Sequence, residues 1–543
     1  PRLTQIALGV MLLLLAVAPS TLRPQSQITV CTTGGDYQLI QDAVNHASAG
    51  DVIAVCSGVF EENLILRAGV SIQGAGSDVT MVDGGAAQSV VRALTADIGN
   101  DTTVSQLTLR NGRANSGGGV LVRQGGPTFS NVVIENNEAW EDQGGGIAVL
   151  DGAHVTLTNV VVRNNRAGRG GGVSVTGANS QVYAMNSLLS TNQATVAAGA
   201  ALVSVGAALI LTDTVIAENV SGGVAGGVMF DRLTGGSMTG GRFQDNQGTD
   251  GGGLYAVSAS VTISGTEFTG NLATGHGGAA VFVQHSEASL NQATFMDNRA
   301  ASGHGGALVI QDDSQVAIMA SAFRDNQAPN GIGGAVKIFT DATATIEQTV
   351  FQDNQSTDAG AVVVQDSAAT VTGSTFLRNT AAQFGGALVV NQGSAITVTD
   401  NIFESNVAGV DGGGLIIQNI SSGNVSRNVF HSNRANPTMG IGGGLKIYNN
   451  ASPTVTQNTL EANEAFDGGG MYIELSSAPL ISENTLRANH ALRYGGGLVI
   501  NFASAPVLRN NTIQENTAAS NGGAIFVNNQ SQPTIEQNTI SRN

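Results

Sequence analysis

The 543 residues carry a formal charge of −17, with 4% aromatic and 12% charged side chains and 73 glycines. An acidic chain with no basic cluster excludes a phosphate-backbone binder, which needs a concentrated positive face. So few large core residues, with no linker or break in composition, exclude an ordinary globule of this size. They fit a solenoid, whose core is a thin column fed by small strands and tight corners.

The chain opens on PRLTQIALGVMLLLLAVAPSTLRPQS. Arg2 precedes an apolar run from Ile6 to Ala18 that is short for a membrane span and suits a signal peptide over residues 1–26. Ala16-Val17-Ala18 offers a cleavage site, although Pro19 follows awkwardly, and an uncleaved anchor is the alternative. The expectation is a secreted or cell-surface protein. Cys31 and Cys56, the two cysteines, sit in the strand-like runs ITVCTT and VIAVCSG, 25 residues apart. That is close to one coil, so a disulfide is expected in an oxidising compartment; two small buried side chains are the alternative.

Residues 34–50, GGDYQLIQDAVNHASAG, place Ile40, Ala43, Val44 and Ala47 on one helical face, with Asp36 to cap the start and Gly50 to stop the end. A short amphipathic helix here would cover the open end of a β-column, so residues 27–103 read as an N-terminal cap and the first coils. The run DYQLIQDAVNHASAGDVIAVCSGVFEENLIL, followed by VSIQGAG, resembles the opening of pectin-lyase-like right-handed parallel β-helix proteins. Ser57-Gly58-Val59-Phe60 stands where that family has Pro-Gly-x-Tyr. The resemblance implies the fold; binding and enzymatic members share this opening.

From 104 to 543 one line recurs. GGAAVFVQHSEASLNQATFMDNRAASGH is followed by GGALVIQDDSQVAIMASAFRDNQAPNGI and GGAVKIFTDATATIEQTVFQDNQSTD. The last Gly before each apolar run moves from 119 to 523 in 15 steps, about 27 residues per repeat. The Asn closing the (Phe/Leu/Ile/Val)-x-x-Asn element keeps phase with it from 137 to 543. These repeats resemble those of chlamydial polymorphic membrane proteins, autotransported surface proteins whose passengers act in adhesion.

Each coil reads as two or three short strands, and some seventeen coils stacked about 4.8 Å apart give a rod of about 80 Å. The fold class is therefore all-β, a single right-handed parallel β-helix solenoid N-capped by a short helix. Phe295, Phe323 and Phe351 belong to an eight-coil column running from Phe243 to Phe430, which should stack inside. Asn298, Asn326 and Asn354 should bond neighbouring backbone at a buried corner as an asparagine ladder. Around 195–240 extra glycines disturb the pattern, which reads as imperfect coils within one domain. The final NTISRN stops inside the repeat phase, so further chain is expected beyond Asn543.

Asp297, Asp325 and Asp353 share a phase in three successive coils, an arrangement of oxygens that calcium favours. Against calcium, Arg299 and Arg324 lie nearby and Asp before Asn is ordinary turn chemistry. No other cofactor is indicated. His276 and His304 also share a phase, so they should stack as corner neighbours. Their Gly-His-Gly contexts resemble polygalacturonases, but that family's remaining motifs are absent. A second acidic row, Asp250, Asp358, Asp411 and Asp467, reads as solvated corners, and Trp140 as an exposed corner residue that could stack on a sugar. No nucleophile elbow, Walker loop or His-Glu-x-x-His motif occurs, and no catalytic residue is assigned. The reading is a monomeric, adhesin-like structural and binding rod that presents a regular face to carbohydrate or a surface protein. It expects no nucleic acid, and membrane contact only through an anchor or barrel elsewhere. A polysaccharide lyase or hydrolase of the same fold is the alternative.

Overall fold

The computed structural model describes residues 26–543; the expected signal peptide falls outside them apart from Ser26. Short runs of aliphatic and β-branched residues separated by glycine or polar corners can pair both edges of every strand only by stacking coil on coil. One coil gives the plan. Leu308–Gln311 lies on a first face, Gln315–Met319 on a second and Ala322–Arg324 on a third, and Gln327–Ile332 runs along a short fourth side. Each strand pairs in parallel with its counterpart one coil on, as Leu308 with Val336 and Gln315 with Thr343. The three faces hold 18, 20 and 19 strands, and the short side runs through 12 and, after a break, 3 more. At about 4.8 Å per coil the rod is about 90 Å long. It exceeds the length expected from the repeat because the coils before residue 104 lack the Gly-Gly marker.

The fourth strand is the element that two or three strands per coil leave out. Its residues, such as Gln-Ala-Pro-Asn-Gly-Ile, lack the apolar alternation that marks a strand, and coil-to-coil pairing holds them with Ala328 buried beneath. The break falls where a 30-residue coil carries Pro437, with only the isolated bridges at Arg434 and Ile441.

The Gly pair divides its work. The first position takes a left-handed turn, as at Gly305 (φ +61°), and Ala198, Ala225 and Ala359 also hold it. The second is glycine in every repeat coil, because the next coil's backbone occupies the space of a side chain. A Cβ on Gly306 would lie 2.0 Å from the Gly334 carbonyl. Around 195–240 the coils stay in register. There Gly236 leaves room for the ring of Phe230, 2.4 Å from where a Cβ would stand.

Inside, the eight phenylalanines from Phe243 to Phe430 stack with ring centroids 4.6–5.0 Å apart. The helix spans Ile40–His46 and buries Ile40, Ala43 and Val44 over the column's end. Its cap corrects the expectation. Asp36 lies four residues before the helix and is held instead by the Thr29 N–H and hydroxyl. The free N–H groups of Ile40 and Gln41 donate to Glu62, which coil closure brings beneath them at 2.7 and 2.8 Å. Cys31 and Cys56 follow paired strands in register, Val30 against Val55, and are joined by a disulfide.

Candidate functional site

On a β-helix face alternate side chains point inward and outward. On the second face the outward residues are partly or fully exposed apart from Thr399 and Ser426, but on the first many are sheltered. Val281, Val309, Val363 and Ile416 point away from the column and are no more than 2% exposed. The corner before each coil folds over them. The left-handed glycines 277, 305, 385 and 412 rest on Val281, Val309, Val389 and Ile416. A sheltered strip, termed the groove, therefore follows the first face, covered by a rail made of the residue preceding each left-handed glycine or alanine.

The rail accounts for the histidines and for the second acidic row, which are not solvated corners. Each acceptor takes the backbone N–H of the rail residue one coil on. Asp250 accepts from His276 (2.6 Å), His276 Nδ1 from His304 (3.0 Å) and His304 Nδ1 from Ile332 (3.2 Å). Asp358, Asp411 and Asp467 accept likewise from Phe384, Ile441 and Tyr494 at 3.0–3.2 Å. With Nδ1 accepting, each neutral imidazole carries its proton on Nε2. The two rings lie 5.0 Å apart. Burial, with Lys337 and His276 nearby, pulls His304 down to about 4.

Towards the C-terminal end the groove gathers charge and rings. Lys446, 4% exposed, sits between Asp411 Oδ2 (2.9 Å) and Glu474 Oε1 (3.2 Å), with its ammonium 4.1 Å from the Tyr448 ring centroid. Burial, then Asp411 and Glu474, push the Tyr448 phenol up to about 12. Two coils on, Arg493 forms a two-pronged pair with Asp467 and lies between the rings of Phe466 (4.5 Å) and Tyr494 (4.6 Å). Tyr494 stacks on Phe526 with centroids 4.6 Å apart. Tyr472 lies beneath, its hydroxyl bonded by Asn501 (2.8 Å). Phe466, Asp467, Tyr472, Arg493, Tyr494 and Phe526 border a cavity of about 490 Å³ that Ile441 and Phe502 also line.

The aspartates considered for calcium stand at another corner, between the third face and the short side. Asp297, Asp325 and Asp353 each adopt φ +55°, the left-handed conformation that every coil needs just before its ladder Asn. Asp tolerates that conformation better than most residues, and Arg378, Ser405 and Ala462 occupy the same phase elsewhere. Asp353 is held by Arg378 at 2.8 and 2.9 Å, which keeps its carboxyl below the usual range. Burial, with Asp297 and Asp353 above and below, raises Asp325. Among the described residues no three His, Cys, Asp or Glu side chains converge as ligands of a metal.

Next to those aspartates, Asn298, Asn326 and Asn354 belong to a ladder of sixteen asparagines from Asn137 to Asn543. Asn326 Nδ2 donates to Asn354 Oδ1 (3.0 Å) and to the Phe295 carbonyl (3.0 Å), and its Oδ1 accepts the N–H of Asn298 (3.1 Å). A second ladder, Asn401 through Asn428, Asn458, Asn484 and Asn511 to Asn538, runs at the bend between the second and third faces. Its signal was an Asn five residues before each ladder Asn, as in DNIFESN and QNTLEAN. Trp140 is 52% exposed on the short side, away from the groove.

The model of the right-handed β-helix region matches residues 68–228, 226–411, 320–485 and 385–543. The chain belongs to this family. The match covers the repeats as β-helix at large and does not single out the chlamydial polymorphic membrane proteins. Among solved structures, pectate lyase Pel9A aligns at 11% identity over 60% of this chain and 80% of its own, with a TM-score of 0.33. The PL6 family alginate lyase AlyGC aligns at 8% over 95% and 100%, with a TM-score of 0.22. A mannuronic acid-specific PL6 lyase from human gut microbiota aligns at 11% over 92% and 83%, with a TM-score of 0.23. No protein of curated function matches the chain.

Proposed function

We propose that this protein is a saccharide-binding rod of the secreted or cell-surface kind, with the first-face groove as its ligand surface. One observation supports the reading. Between Lys446 and Phe526 the half-buried rings of Tyr448, Phe466, Tyr494 and Phe526 follow a sheltered trough beside charges already paired to one another. Aromatic faces stack on the apolar faces of sugar rings, and paired charges still offer hydrogen bonds to hydroxyls. The test is retention on a panel of immobilised polysaccharides. Wild type should be retained and the Tyr494→Ala, Phe526→Ala double variant should bind at least about tenfold more weakly; equal retention of the two would remove the groove from the account.

A polysaccharide lyase or hydrolase is the second reading, and one residue favours it. Lys337 is a sheltered amine whose burial lowers it to about 8, beside a neutral imidazole. Such an amine can act as a general base near neutral pH. Release of unsaturated product from a polyuronate, lost in Lys337→Met, would move the assignment from binding to catalysis.

A further inference from the structure

The only two lysines of the chain, Lys337 and Lys446, occupy the same position of the same groove. Each is the second residue of a first-face strand, Val336–Phe339 or Leu445–Tyr448. They are four coils apart, about 19 Å along the rod. Each is no more than 5% exposed, with its ammonium 4.1 Å from the ring of the residue two further on, Phe339 or Tyr448. An isoleucine, Ile332 or Ile441, stands on the rail before each strand.

The partners differ. Lys446 is held by Asp411, the rail residue one coil back, and by Glu474, which ends the strand one coil on. The same register around Lys337 gives His304 on the rail and Gln365 at the strand end. Both are neutral, and no carboxylate among the described residues pairs with Lys337, whose ammonium lies over the face of the Phe339 ring instead. A buried ammonium without a counter-charge is costly, so an anion brought to Lys337 would be stabilised there, whereas its twin Lys446 already has its counter-charges.

We propose that the Lys337 site is the groove's carboxylate receptor, taking the acid group of a uronic acid residue as the counter-charge that Asp411 and Glu474 supply at Lys446. Lys337 Nζ supplies the charge. His304 Nε2–H is free to donate because Nδ1 already accepts from Ile332, and the Gln365 amide, bonded to Gln392 at 2.8 Å, has a second N–H to offer. The inference rests on the groove being a saccharide surface, and it adds an acidic sugar at a defined coil.

Two lysines make the test direct. In the full chain labelled with ¹³C,¹⁵N-lysine, a galacturonic acid oligosaccharide should shift the Lys337 side-chain signal saturably and leave Lys446 in place. The matching neutral galactose oligosaccharide should leave both where they are. Gln365→Glu gives Lys337 an internal partner of the kind Glu474 provides, and should weaken uronate binding about tenfold or more. A still Lys337 signal in a protein retained on neutral polysaccharide would overturn the receptor and spare the groove. An equal shift with the neutral sugar would overturn the receptor too, and binding of neither sugar would remove both readings.

Discussion

Asn326, inside the main ladder, satisfies four backbone or amide groups that stacking would otherwise bury without partners. Truncating Asn326 strands the Asn298 N–H and amide and the Phe295 carbonyl, all one coil back. Asn326→Ala should therefore cost about 3 kcal/mol, read as a lower urea midpoint. Gly306→Ala meets the Gly334 carbonyl rather than a yielding side chain, and should cost about 3 kcal/mol or more. Ala359→Gly, at the neighbouring left-handed position (φ +54°), should be near neutral. His304 adds a pH dependence. Its folded pKa is depressed to about 4 from 6.5, so the stability it permits is present above about pH 6.5 and is lost as pH falls towards 4. Thermal unfolding of His304→Asn, whose amide oxygen can still accept from Ile332, should lose less across that window than wild type.

Between neighbouring coils the columns behave as elements. The aspartate column at 297, 325 and 353 stacks like charges, which opposite or neutral groups would relieve. Asp325→Asn keeps the left-handed preference and removes a charge that burial, and then Asp297 and Asp353, disfavour, so its melting temperature should equal or exceed that of wild type. Melting in excess calcium and in excess chelator should coincide; a drop with chelator would restore calcium to this column. The phenylalanine and main asparagine columns were legible in the sequence because period alone decides what stacks. The Glu62 cap was not, since its partner N–H groups lie more than twenty residues away and meet it only when the coil closes. The second ladder was written at a spacing of five but masked by the stronger Phe-x-x-Asn signal.

At the scale of the rod, what the sequence hides is the groove. Outward residues such as Val309, Val363 and Ile416 are as apolar as the core, so the pattern says buried without saying beneath what. Only the corner geometry shows that the rail covers them and that the rail's Asp and His side chains serve as acceptors coil after coil. The pairing of Lys446 with Asp411 and Glu474 spans 35 and 28 residues, and it becomes visible once register places three coils side by side. The most direct measurement is hydrogen exchange of the full chain with and without a saturating oligosaccharide from the binding panel. The account expects added protection along the first face and its rail, centred on Leu445–Tyr448 and Met471–Glu474, with the second face unchanged. Protection confined to the second face or the short side would contradict it.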